Sequence, residues 1–158
     1  MNPLLAQHFG AKEAFLEKWE NSKHYLIALA EAMPEENYDF KPTERQQSFK
    51  EQLIHISGNI TWLSTNYFSK TEYKKIPIDT SLTKSEIIGQ ISKTFNKASS
   101  KIQSTPEDEL NETVSFFAGL KSKLQILNLL QDHVTHHRGQ LVVYLNLKNI
   151  DPPKYIGW

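Results

Sequence analysis

Apolar residues recur every three or four positions through four long stretches of the chain, the spacing that lays a stripe along one side of an α-helix. In the first stretch Leu4, His8, Ala11, Phe15, Trp19, Ser22, Leu26, Leu29 and Met33 share a face. Asn2-Pro3 offers an N-cap and a proline at the first helical position, and Pro34 ends the segment. In the second, Phe49, Leu53, Ile56, Ile60, Leu63 and Tyr67 line up behind Ser48-Phe-Lys-Glu51, a capping box. The third opens at another box, Thr83-Lys-Ser-Glu86, and turns Ile87 or Ile88, Ile91, Phe95, Ala98 and Ile102 inward until Thr105-Pro106. The fourth starts from Ser122-Lys-Leu-Gln125 and carries Ile126, Leu127, Leu130, Val134, Leu141, Tyr144 and Leu145. Asn149 can take the left-handed closing position there, and Asp151-Pro-Pro153 prevents continuation.

Between these stretches, residues 34 to 47 form a polar connection broken by Pro42, and Ser69 to Leu82 reads as a loop. Residues 107 to 121 read two ways, with Val114-Ser-Phe-Phe as a short extended piece or one helical turn. Glu35-Glu36 and Glu107-Asp108-Glu109, beside prolines near helix ends, suit helix dipoles or solvent better than catalysis. Four amphipathic helices predict an all-α four-helix bundle, one domain over residues 1–158. The connections before the second and fourth helices are long enough to cross the bundle, so simple up-and-down order is not required.

One feature breaks the apolar pattern. In Gln131-Asp-His-Val-Thr-His-His-Arg-Gly-Gln140, His133 and His137 fall in the middle of the fourth stripe, one turn apart. Burying an imidazole costs free energy unless its nitrogens are satisfied. Two on one inward face fit either a pair of ligands for a divalent metal or two packed histidines bonded within the core. His8 on the first stripe reads as a half-buried histidine, and His24, off it, as a surface one. On the second helix His55 sits at the flank of the stripe, followed by Asn59 and Trp62 on one ridge that suits a pocket wall. Taken alone, that histidine reads better as a boundary residue facing water.

Composition removes many chemistries. The chain has no cysteine, which excludes disulfides, thiolate zinc sites and a cysteine nucleophile. Net charge is zero with no basic run, which argues against nucleic-acid and membrane partners. The N-terminus lacks the basic start and apolar core of a signal peptide, so a cytoplasmic location is the expectation. The His-Glu-x-x-His of zinc proteases, the Glu-x-x-His pairs of di-iron bundles, a phosphate loop and a nucleophile elbow are all missing.

The fourth helix resembles the DinB family, within the DinB/YfiT-like superfamily. The resemblance rests on His133 followed by His137-Arg138-Gly139-Gln140, on the lone histidine of Leu53-Ile-His55-Ile56 with Trp62 beyond it, and on Pro152-Pro153 after the last helix. Asn149 departs from the glycine common at that point. The resemblance implies an up-down-down-up bundle and a three-histidine site of His55, His133 and His137 for a divalent metal such as nickel or zinc. It also implies a homodimer, and for some members transfer of a low-molecular-weight thiol. On that footing Gln140 would orient a group at the metal, Asn59 and Trp62 would line the pocket, and His136 would stand behind the ligands or at the surface. Gly139 would let a neighbouring element approach closely, and Arg138, pointing away, would meet a carboxylate of a neighbouring helix or subunit. The leading expectation is a metal-dependent thiol S-transferase or hydrolase acting on a small molecule. The alternatives are a non-catalytic, stress-linked metal- or small-ligand-binding bundle and a metal-free helical interaction protein.

Overall fold

The computed structural model describes residues 10–75, 77 and 79–157. Its four helices are α1 (Ala11–Ala32), α2 (Phe49–Phe68), α3 (Lys84–Ser104) and α4 (Lys123–Leu147), with single turns at Glu35–Asn37 and Asp108–Asn111. The capping boxes set three of the four starts: Ser48, Thr83 and Ser122 accept from the backbone N–H of Glu51, Glu86 and Gln125 respectively. The expected N-cap at Asn2-Pro3, the helical start at Leu4 and the inward His8 lie outside the described residues. Ala11, placed on the inner stripe by its spacing, is exposed, because the buried part of α1 begins at Trp19.

Side-chain bonds between helices give their order. Trp19 on α1 donates to the Phe95 carbonyl of α3, and Lys84 reaches back to the Met33 carbonyl, so α1 and α3 run antiparallel. Gln52 of α2 meets Gln140 of α4 and Gln47 meets Tyr144, which makes α2 and α4 antiparallel. Gln131 bonds Ser22 and Arg138 covers Tyr25, so α1 and α4 run the same way. The result is an up-down-down-up four-helix bundle, with Trp19, Leu26, Leu53, Ile60, Ile91 and Val134 in a core shared by all four helices.

The acidic pairs serve neighbouring helix starts. Glu35 accepts from the Lys84 N–H at the start of α3, and Glu107 from the Lys12 N–H at the start of α1. The stretch that read two ways is extended: β1 (Thr113–Val114) and β2 (Lys121–Ser122) form an antiparallel hairpin turned at Gly119, whose φ is 91°. At the end of α4, Asn149 takes φ 55° while Ile150 N–H bonds the Leu145 carbonyl and Asn149 N–H bonds that of Asn146. This is a Schellman closure built on asparagine. Among the described residues, no helix is long and apolar enough to cross a membrane.

Candidate metal centre

The seam between α2 and α4 brings three imidazoles together. His55 comes from α2, and His133 and His137 come from successive turns of α4. One nitrogen from each lies within 4.8 Å of the others, and His133 Nε2 stands 3.0 Å from His55 Nε2. Ring centroids are 4.4 to 4.9 Å apart. Imidazole nitrogens held about 2.0–2.1 Å from one ion in a tetrahedral set stand about 3.3 Å apart. Small ring tilts therefore bring these three to ligand spacing.

Electrostatics favour the same use. Burial, then the charges of His137, His55 and His136, push the His133 pKa down to about 3. Burial followed by the charges of His55 and His136 lowers that of His137 to about 4, and burial lowers His55. All three rings are neutral at physiological pH, the form that binds metal. They are half-buried rather than sealed, so an ion among them keeps a face toward solvent. His133 Nδ1 is buried without a hydrogen-bond partner among the described residues. No carboxylate joins the cluster among the described residues. Three neutral nitrogen donors, two from adjacent turns of one helix and one from its neighbour, fit a divalent cation.

The residues around the triad sit as follows. His137 Nδ1 contacts the Gln52 side-chain oxygen at 2.5 Å, and Gln52 Nε2 donates to Gln140 Oε1 at 2.7 Å. Gln140 Nε2 contacts the exposed His136 Nε2 at 2.8 Å. Gln140 therefore acts through Gln52 and does not itself touch a ligand nitrogen. Gln52 escaped sequence reasoning, although its place one turn before His55 put it on the right face. A glutamine on a half-apolar helix carries no signal until its neighbour across the seam is known.

His55, Asn59 and Trp62 line one side of a cleft of about 440 Å³, closed on the other by Tyr73 and Lys75 of the connection to α3. Asn59 Oδ1 is buried there without a partner among the described residues. Trp62 continues into Phe116 and Phe117 of the hairpin, with ring centroids 6.0 and 6.4 Å away.

Two expectations need correcting. Arg138 is buried, its guanidinium 4.9 Å from the centre of the Tyr25 ring, with Nη1 unpartnered and no carboxylate against it among the described residues. It does face a neighbouring helix, α1, but meets a tyrosine ring there in place of the expected carboxylate. Gly139 is exposed, and a Cβ added there would meet nothing within 4 Å among the described residues, so no close approach among them requires it.

The sequence profile of the DinB family matches residues 6–154. A DinB-like protein from Bacillus cereus, 20% identical, superposes with a TM-score of 0.75 over 90% of this chain and 96% of its own. One from Bacillus subtilis, 16% identical, gives 0.74 over 91% of this chain and 97% of its own. At such identities the likeness shows the fold alone. No protein of curated function matches the sequence.

Proposed function

Because the chain belongs to the DinB family, we propose that it is a metal-dependent thiol S-transferase or hydrolase, with nickel or zinc held by His55, His133 and His137. The observation that carries this reading is the triad itself: three neutral imidazoles within 4.8 Å, open on one face and bordering a cleft. A dipositive ion with three neutral protein ligands is a Lewis acid that lowers the pKa of a thiol or water toward neutrality. That chemistry suits a protein without cysteine, whose sulfur would have to come from a small molecule.

The chain's own residues would supply position. The imidazoles bind and bring no compensating negative charge. Trp62 and Tyr73 offer apolar walls to the acceptor substrate. Asn59 Oδ1, buried and unpartnered, is an acceptor for an N–H or O–H of that substrate. A homodimer belongs to the same reading, supported by Val143 and Leu147, one turn apart and about half exposed on α4.

The competing reading makes the ion a non-catalytic cross-link between α2 and α4. It is favoured by the lack of any carboxylate beside the triad among the described residues, since no general base stands ready. Elemental analysis of protein purified without added metal or chelator, beside a His55/His133/His137 triple alanine variant, tests the site. Conjugation of cysteine to a chromogenic electrophile tests the activity. The proposal expects stoichiometric metal and turnover, both lost in His137→Ala. Turnover that survives metal removal would defeat it, and metal without turnover on any thiol or ester tried would leave the cross-link.

A further inference from the structure

Most half-buried lysines of this fold meet a group that answers their charge. Lys12 donates to the Thr105 carbonyl and Lys84 to those of Glu31 and Met33. Lys50 pairs with Asp39, Lys123 with Glu109 and Glu112, and Lys148 rests on the Phe40 ring. Lys101 of α3 has none of these. Its Nζ, half-buried, meets the Thr65 hydroxyl of α2 at 2.6 Å and nothing else among the described residues. We infer that the cleft it lines binds a small organic anion, with the acidic group on Lys101 and an apolar body against Tyr67, Phe68 and Pro106.

An ammonium can only donate, so Thr65 Oγ1 must accept from it. Two hydrogens of Lys101 and the one on the Thr65 hydroxyl are then left without an acceptor among the described residues. Thr65 is only 8% exposed, so water has little access to it. Donors gathered with no acceptor beside them are the complement of an anion. Burial, and then the Lys97 cation, lower the Lys101 pKa, a penalty that an incoming negative charge would relieve. Lys101 also stands in the last turn of α3, where a cation complements the helix dipole. That accounts for a charge at this end of the helix, yet the ammonium bonds none of the terminal carbonyls.

The cleft runs between the ends of α2 and α3 and the start of α4, and its volume of about 610 Å³ is that of a small-molecule site. Among its described lining residues the one carboxylate, Glu109, is held by Lys123 at 2.7 Å. Ser100 and Ser104 give their hydroxyl hydrogens to carbonyls of α3, which leaves the charge to Lys101, with exposed Lys70 as a further cation. Thr65 follows His55 on α2 by a helical rise of about 15 Å. The site therefore stands apart from the triad and requires no metal there.

NMR titration of the full chain with benzoate tests it. Benzoate should shift the backbone amide signals of Thr65, Lys101 and Ser104 in a saturable way. Benzyl alcohol, the same ring without the charge, should bind about ten- to a hundredfold more weakly. Lys101→Met keeps the stem, removes the ammonium and should weaken benzoate by the same factor. Inorganic phosphate, an anion with no apolar body, should bind less tightly than benzoate. No saturable shift, or benzoate and benzyl alcohol bound alike, would overturn the site, and that comparison needs only the wild-type chain. Undiminished benzoate binding by a folded Lys101→Met would overturn it equally. Phosphate bound as tightly as benzoate would overturn the apolar part of the assignment.

Discussion

At His133 and His137 the fold holds imidazoles uncharged far below their ordinary range, and this ties stability to pH. The same rings in the unfolded chain take a proton near about 6.5, whereas in the folded chain they do so only near about 3 and about 4. Below about 6.5 the unfolded state therefore binds more protons than the folded one. Stability of the metal-free protein should be level above that pH and erode as the pH falls toward the folded values. Urea midpoints between pH 8 and 5 should slope less in His133→Leu than in the wild type, and equal slopes would contradict the shifts. Arg138 poses the opposite problem, a cation that stays charged in a buried seam. Burial lowers its pKa, its Nη1 has no partner among the described residues, and Tyr155 and then Tyr25, whose ring face it covers, are what offset the burial. Arg138→Met keeps most of the volume and removes the stranded charge. It should raise stability by about 1–3 kcal/mol in chemical denaturation, by the logic that apolar replacements of buried charge are neutral or better. A loss of stability would mean that the guanidinium has a partner beyond the described residues.

The elements were legible where local chemistry fixes them. Three capping boxes marked the starts of α2, α3 and α4, and Asn149 marked the end of α4, because those signals lie within four residues of the boundary they set. The hairpin at Thr113–Ser122 read two ways because strands of two residues carry no period. The inward reading of Ala11 failed because a spacing rule does not say where along a helix burial starts, and α1 is buried only from Trp19. Gly139 misled for a related reason: a glycine inside a helix suggests a close approach, and here there is none. Gly89 on α3 is in the same position, exposed and with open space where a Cβ would stand. Gly89→Ala and Gly139→Ala should each stabilise by about 0.5–1 kcal/mol through helix propensity alone. Thermal melts of the single and double variants check this, and additivity is expected because the two sites sit on different helices. A destabilising Gly139→Ala would point to a contact that the described residues do not make.

At the scale of the whole molecule, the triad is a link between two helices, and this decides how a metal should act on folding. The spacing of His133 and His137 was visible in sequence because both lie on one helix. His55 became a ligand candidate only through family resemblance, since nothing local says which helix packs against α4. Gln52 stayed hidden because its role exists only across that seam. The unfolded chain lacks this convergence, so an ion that needs all three rings binds the folded state and stabilises it by mass action. At about a hundred times the dissociation constant the gain is about 2.7 kcal/mol. For a chain of this size that is a rise of about 5–10 °C in Tm. His55→Ala should abolish the shift as completely as His133→Ala, although it leaves the two-histidine turn of α4 intact. Both variants should fold, because each ring is half-exposed and the shared core lies beneath the seam. Melts with zinc and with nickel, each against a chelator control, carry the comparison. A shift that persisted in His55→Ala would place the ion on α4 alone and leave α2 out of the site.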